Sequence, residues 1–204
     1  MKFETALLLG GASATGAAAA ASGYYVLTSK NPTIKEQLKD KKFIPTADSK
    51  QWEEEFKSDS SNIKASIEAL KDVTDENGGS KLKEWCESQM ELDSKKNQES
   101  LKLVEKYCLI RDLASQLSRK GKTLLISSSS AEDWNNTYTK RKNKSTARAD
   151  VGLDGANWDN TQQETDLKKI KEWCEGTSKQ DFLASEDKYE KLHKWCTKDG
   201  AQVD

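Results

Sequence analysis

The chain has 204 residues and a formal net charge of −1, so acidic and basic residues almost balance. This balance excludes the overall basic footprint of a nucleic-acid-binding protein, and we expect no nucleic-acid partner. Apolar residues make up only 34% of the chain and charged residues 33%, which favours charged helices with narrow apolar stripes over a thick core.

The first predicted element is an uncharged, alanine- and leucine-rich run from Thr5 to Ser29. About 20 such residues can cross the hydrocarbon layer of a membrane as a helix. We therefore predict a single transmembrane helix, or signal-anchor, within residues 1–29, with residues 5–29 in contact with membrane lipid. A cleaved signal peptide ending near Ala18-Ala19-Ala20 and a buried soluble helix are the alternative interpretations.

The charges after this run and the cysteines of the body give opposite indications of orientation. Clustered lysines favour a cytoplasmic location for the segment that carries them, whereas paired cysteines favour an oxidising compartment. We give the cysteines more weight, because whole domains can cross a membrane despite such charges. The sequence therefore predicts a single-pass protein of the cell membrane with an extracellular body. The five lysines that follow the run are Lys30, Lys35, Lys39, Lys41 and Lys42.

One short sequence motif occurs twice in the chain after residue 30. In each copy a Lys-Glu-Trp-Cys segment is followed 22 positions later by a second cysteine that has an aromatic residue before it. The duplication predicts two tandem units, residues 30–110 and residues 111–204. The two copies of the motif are Lys83-Glu84-Trp85-Cys86 with Tyr107-Cys108, and Lys171-Glu172-Trp173-Cys174 with Trp195-Cys196.

Further matches extend the duplication upstream of the cysteines. Trp52 and Trp134 each have an aromatic residue four positions later, which is same-face spacing on a helix. An apolar pair precedes each tryptophan by nine and eight positions, and we align Phe43-Ile44 with Leu125-Ile126. The offset between the copies is 79 positions at the start, 82 at the tryptophans and 88 at the cysteines. Such a drift is typical of a repeated unit with loops of different length.

The patterns within each copy predict short helices, so the predicted fold class is all-α. Asp48 is a candidate N-cap for the helix that carries Trp52. Apolar residues then recur at helical spacing over residues 63–73, and we expect Asn77-Gly78-Gly79 to end that helix. The second copy has instead a basic stretch, residues 139–150, for which we predict a solvated loop; the alternative is a basic patch for anionic lipid or glycan.

The four cysteines, Cys86, Cys108, Cys174 and Cys196, are most simply two disulfides, one within each copy. Internal duplication favours this pairing among the three that four cysteines allow, because each unit had to fold before it was duplicated. Reduced, buried cysteines are the main alternative. A zinc site and a redox-active pair are less favoured, because each normally uses cysteines only a few residues apart.

No other group of residues indicates chemistry. His193 is the only histidine, and we interpret it as a surface or packing residue. The sequence has no glycine-rich phosphate loop, no nucleophile motif and no cluster of metal ligands. We therefore expect no catalytic residue, no cofactor, no bound metal and no enzyme activity.

The chain resembles the large paralogous protein families of hemotropic mycoplasmas. The resemblance is carried by the N-terminal span and by three motifs: Lys83-Glu84-Trp85-Cys86-Glu87, Lys171-Glu172-Trp173-Cys174-Glu175 and Lys194-Trp195-Cys196-Thr197. It implies a membrane-anchored protein of a wall-less parasite that is exposed to host blood, and it supplies no catalytic residues.

Together these features predict an antigen-like or host-interacting surface protein, with host surface or plasma components as partners. The alternative hypothesis is a membrane-tethered structural or assembly protein that faces the cytoplasm and keeps its cysteines reduced.

Overall fold

The computed structural model describes residues 31–203, and within this range the regular elements are helices: nine α-helices and four 3₁₀ turns. The all-α prediction is therefore confirmed for this part of the chain. The predicted membrane segment, residues 1–29, lies outside the described residues. None of the helices between residues 31 and 203 combines the length and the apolar character that crossing a bilayer requires.

The helices fall into two sets that match the duplicated halves of the sequence. We refer to residues 31–110 as repeat 1 and to residues 111–203 as repeat 2. Repeat 1 contains α1 (Ile34–Gln37), α2 (Ser49–Ser58), α3 (Ser60–Ser66), a 3₁₀ turn (Glu68–Leu70), α4 (Gly78–Met90) and α5 (Gln98–Tyr107). Repeat 2 contains α6 (Leu113–Arg119), α7 (Ala131–Asn143), two 3₁₀ turns (Arg148–Val151 and Asn160–Gln162), α8 (Gln163–Ser178), α9 (Lys188–Cys196) and a last 3₁₀ turn (Lys198–Gln202).

Matching backbone hydrogen bonds show which residues of the two repeats are equivalent. The amide of Ile44 donates to the carbonyl of Cys108 (3.0 Å), and the amide of Leu125 donates to the carbonyl of Cys196 (2.7 Å). Ile44 is therefore equivalent to Leu125. Our alignment of Phe43-Ile44 with Leu125-Ile126 was wrong by one position, because the additional residue of repeat 2 lies in the loop just before α7.

Side-chain caps explain where several helices begin. A carboxylate oxygen of Asp48 accepts from the amide of Gln51 (3.0 Å) at the start of α2, as predicted. The hydroxyl of Ser130 accepts from the amide of Asp133 (3.1 Å) at the start of α7. These side chains satisfy amide groups that the first turn of a helix leaves without partners, so the tryptophan helix of each repeat has a defined start.

Each repeat has a core of its own. The apolar cluster of repeat 1 is built from residues between Ile34 and Cys108, and that of repeat 2 from residues between Leu113 and Cys196. Trp52 and Trp134 are both 2% exposed at equivalent places in these cores.

The surface between the repeats is polar and partly buried. Glu55 on α2 is 2% exposed and is held by two arginines of repeat 2, Arg111 and Arg119, the latter at 2.7 Å. Burial raises the pKa of Glu55, and the two guanidinium groups oppose that rise. The side-chain amide of Gln51 also donates to the carbonyl of Phe182 (3.1 Å). Hydrogen bonds and charge therefore fix how the repeats meet.

Two predictions for repeat 1 were wrong. The apolar stripe of residues 63–73 is not one helix, because α3 ends at Ser66 and Ile67 is extended before the 3₁₀ turn. Gly78 and Gly79 do not end a helix but form the first turn of α4. A Cβ atom on Gly78 would lie 2.2 Å from the ring of Phe56, and one on Gly79 would lie 2.8 Å from the backbone of Glu53. The glycines are needed for close packing of α4 against α2.

The loop predicted for residues 139–150 was also wrong. Helix α7 continues to Asn143, and a 3₁₀ turn begins at Arg148. Two basic side chains of this stretch are buried, since Arg141 is 1% and Arg148 is 3% exposed. Arg141 donates to the carbonyl of Gly200 (3.2 Å), so part of the positive charge serves packing inside the repeat.

Candidate binding groove in repeat 2

The four predicted site cysteines form two disulfides, one in each repeat. The sulfur atoms are 2.00 Å apart in Cys86–Cys108 and 1.96 Å apart in Cys174–Cys196. All four cysteines are at most 1% exposed, and none is free. This pairing excludes the zinc site in the structure. The bridge of repeat 1 joins α4 to the residue that directly follows α5, and the bridge of repeat 2 joins α8 to the last residue of α9.

The remaining predicted residue, His193, lies at the end of repeat 2 beside an ion pair. Its Nε2 atom is 3.1 Å from Oδ2 of Asp199, and the same oxygen binds Nζ of Lys122 at 2.5 Å. Burial would raise the pKa of Asp199, but the hydrogen bonds from Lys122 and His193 lower it far below its usual range. The described residues contain no group of three or more metal-ligating side chains. We assign this cluster to the anchoring of the C-terminal turn.

Repeat 2 also contains a buried charged network that no sequence pattern indicated. The guanidinium of Arg148 binds the carboxylate of Asp166 through two bonds of 2.5 Å and 2.9 Å, and the hydroxyl of Tyr138 donates to the same carboxylate (3.2 Å). The guanidinium also lies 5.1 Å from the ring of Trp158. These groups satisfy one another, so the network is a packing element and leaves no free reactive group.

A half-open groove of about 370 Å³ lies between α8 and the extended segment that precedes α7. Its apolar wall is formed by Leu124, Leu125, Ile126 and Trp134. Ile126 is 55% exposed and is the one large apolar side chain that is strongly exposed within residues 31–203. Pockets of about 300–1,000 Å³ are the usual size for small ligands, so the groove can accept a small molecule or one or two side chains of a partner.

A single substitution between the repeats helps to open this groove. Ser178 lines the groove at the last position of α8. The equivalent residue of repeat 1 is Met90, the last residue of α4, which packs half-buried against the core of repeat 1. A serine side chain fills much less space than a methionine, so repeat 2 keeps an opening where repeat 1 has an apolar side chain.

The tryptophan that lines the groove differs from its equivalent in one hydrogen bond. Nε1 of Trp52 donates to the carbonyl of Pro45 (3.0 Å), whereas Nε1 of Trp134 is buried and has no acceptor among the described residues. The loop before α7 is one residue longer than its counterpart, and the carbonyl equivalent to that of Pro45, the carbonyl of Ile126, accepts from the amide of Ser129 (2.9 Å). Leaving a buried N–H group without an acceptor costs about 1–3 kcal/mol of stability. The wall of the groove therefore contains an unsatisfied hydrogen-bond donor, Nε1 of Trp134, that repeat 1 does not have.

The rim of the groove is charged. Nζ of Lys171 lies 5.4 Å from the centre of the Trp134 ring, and the exposed Lys168 has no ion pair among residues 31–203. Lys179 is paired with Glu175 at 2.9 Å. Glu172 also lines the groove and is exposed, so the apolar wall lies beside two lysines and one glutamate that make no ion pair among residues 31–203.

The sequence contained two signals for this groove that we did not use. One was serine at position 178, where the duplicated copy has methionine at position 90. The other was the additional residue before α7. Comparison of the chain with protein-family models, curated proteins and solved structures gives no match, so function has to be inferred from the residues and their geometry.

Proposed function

We propose that the chain is a membrane-anchored binding protein without catalytic activity, and that its disulfide-stapled body lies outside the cytoplasm. The single observation that carries the proposal is the pair of buried disulfides, because disulfides persist in oxidising compartments and are rare in the cytoplasm. The apolar run of residues 5–29 supplies the anchor in this proposal.

The groove of repeat 2 supports a binding role. An apolar wall beside charged side chains suits recognition of a partner. The resemblance to the surface protein families of hemotropic mycoplasmas supports host surface or plasma components as the partners.

The second candidate is a tethered structural or assembly protein that faces the cytoplasm. One observation favours it: Lys35, Lys39 and Lys41 are exposed and lie close after the predicted span, where the positive-inside rule would place them in the cytoplasm. In that case the cysteines would be reduced in the cell.

The redox state of the cysteines in the native organism separates the two candidates. Cells are lysed in denaturant with an excess of a thiol-alkylating reagent, and the intact mass of the protein is measured with and without prior reduction. We expect no alkylation without reductant and four alkylated cysteines after reduction. Four alkylated cysteines without reductant would reject the extracytoplasmic body.

Protease treatment of intact cells gives an independent test of orientation. An extracellular body is digested while a cytoplasmic marker protein stays intact. Protection of the body under conditions that digest a known surface protein would favour the cytoplasm-facing candidate.

A further inference from the structure

We propose that the groove of repeat 2 binds an extended peptide segment of a partner protein, with an apolar side chain in the groove and an acidic residue beside it. The proposal depends on the proposed function only in that the chain acts as a binding protein. It does not depend on the side of the membrane that the body faces.

Repeat 1 indicates the chemistry of the ligand, because it carries its own groups at the equivalent place. Met90 provides an unbranched apolar side chain against the core, and Pro45 provides a backbone carbonyl to Nε1 of Trp52 (3.0 Å). Repeat 2 has Ser178 in place of the first group, and Trp134 lacks the second. A peptide brings an apolar side chain of the same kind as that of Met90 together with a backbone carbonyl like that of Pro45. A fatty acid, whose carboxylate is also an acceptor, is the competing occupant that the experiment has to exclude.

The size and the wall of the groove agree with an extended segment. A volume of about 370 Å³ is at the low end for ligand sites and holds one or two side chains. Ile126, at 55% exposure, extends the apolar contact beyond the groove itself. Burial of this apolar surface by a ligand favours binding, and an extended peptide covers the wall without having to fold first.

The rim favours an acidic neighbour to the apolar side chain. Lys168 and Lys171 both line the groove and make no ion pair among residues 31–203. A carboxylate on the bound peptide can contact either ammonium group. Two glutamates, Glu172 and Glu175, line the groove as well, and Glu175 is paired with Lys179 (2.9 Å). The lysines outnumber the glutamates by one, so the rim favours a carboxylate over an ammonium group by charge.

The proposal is tested by phage display. A library of short random peptides is selected for binding to the full-length oxidised chain in lipid nanodiscs. The Ser178→Met variant, which places in repeat 2 the residue that repeat 1 carries, is used for counter-selection. We expect enriched peptides to share an apolar residue, methionine or leucine, next to aspartate or glutamate. An enriched peptide, dye-labelled, should bind the wild-type chain at least about tenfold more tightly than Ser178→Met, measured by fluorescence anisotropy.

Two further variants make the result specific to the groove. Ser88→Met adds a methionine at an exposed position of α4, and it should bind the peptide like the wild type. Lys171→Glu should weaken binding, and the loss should be smaller for a peptide with asparagine in place of its acidic residue. Circular dichroism and a free-thiol assay establish that each variant is folded and oxidised.

Three outcomes would overturn the proposal: no peptide enriched over the Ser178→Met control, equal binding to both chains, or displacement of every enriched peptide by palmitate together with direct palmitate binding. The last would assign the groove to acyl chains. A negative selection together with oxidised cysteines in cells rejects this inference alone, because the proposed function does not require the groove to bind a peptide.

Discussion

The two repeats share one backbone plan but fill the space beside the tryptophan helix differently. In repeat 1, Gly78 and Gly79 let α4 touch α2, and the ring of Phe56 packs on the bare backbone. In repeat 2 the equivalent residues are Asp166 and Leu167, and α7 and α8 approach less closely. Side chains from the connection between α7 and α8 pack there instead: Arg148, Val151, Leu153 and Trp158.

The difference shows what the disulfide contributes. Each bridge and the backbone pairing next to it hold the two cysteine helices and the extended segment in the same arrangement, with Cα separations of 5.8 Å and 5.7 Å. With that arrangement held covalently, the packing against the tryptophan helix could change from glycine contact to a buried ion pair. Repeat 1 has the half-buried Met90 at the position where repeat 2 has Ser178 and a groove.

The largest effect should come from breaking the buried ion pair that only repeat 2 has. Asp166→Ala leaves the guanidinium of Arg148 buried without its carboxylate, and the free energy of unfolding should fall by about 3–5 kcal/mol. Asp154→Ala is the matched control, because its carboxylate is 91% exposed and binds only Lys169; it should change stability by at most about 1 kcal/mol. Urea unfolding measures both. Equal losses would mean that the ion pair is not what holds the 3₁₀ turn at Arg148 against α8.

Removing one disulfide at a time tests whether the repeats are equally dependent on their bridges. Both bridges span a sequence separation of 22, for which loop-closure entropy gives about 3 kcal/mol. We therefore expect Cys86→Ser with Cys108→Ser, and Cys174→Ser with Cys196→Ser, to lower the urea stability by similar amounts. A much greater loss for one pair would show that one core can hold itself without its bridge while the other cannot.

The close contact of repeat 1 can be tested with glycine substitutions. Gly79→Ala places a Cβ atom 2.8 Å from the backbone of Glu53, and such overpacking should cost about 1–3 kcal/mol. Gly176→Ala in α8 is the control, because a Cβ atom there meets nothing within 4 Å. It should stabilise the chain by about 0.5–1 kcal/mol, the difference in helix propensity. Thermal unfolding measures the stability of both variants relative to the wild-type chain. A Gly79→Ala chain as stable as the wild type would contradict the packing argument.

The smallest effect concerns alkaline pH. Burial and the Asp166 carboxylate raise the pKa of Tyr138 to about 12, above the value of about 10 for an unfolded tyrosine. The stabilising contribution of the protonated hydroxyl is therefore complete below about pH 10 and is lost between about pH 10 and 12. Tyr138→Phe, which copies Phe56 of repeat 1, should reduce the slope of unfolding free energy against pH in this range. An unchanged slope would contradict it.

Tyr189 provides the internal reference for that titration. Burial, with the nearby Glu190, also raises its pKa to about 12, so Tyr138→Phe should remove only part of the alkaline dependence. Absorbance of tyrosinate follows both groups directly, and one fewer tyrosine should ionise late in the variant.

Much of the fold could be predicted because the two copies within the chain can be compared with each other, and the residues that they share indicate the common structure. Four cysteines at one repeated spacing indicated the pairing that the structure contains, and tryptophans with aromatic partners indicated the helices α2 and α7. Short helices with buried stripes follow local rules of spacing and capping, as Asp48 shows.

Two of the errors lie where a distant contact overrides a local preference. Glycine usually ends helices, but Gly78 and Gly79 lie in a helix because Phe56 and the backbone of Glu53 occupy the space of a side chain. Lysine- and arginine-rich stretches are usually solvated, but Arg148 is buried because Asp166, 18 positions later, neutralises it. Neither partner can be identified from the neighbouring residues alone.

The sequence by itself determined that the chain contains a duplicated helical unit with one cysteine pair in each copy. Helical spacing, caps and repeated positions can be identified from nearby residues. Only the tertiary structure decided that the copies pack differently inside, that Glu55 and two arginines join them, and that Ser178 and a one-residue-longer loop leave a groove beside Trp134. Those features depend on which side chains share a volume, and residues far apart in the chain supply its walls.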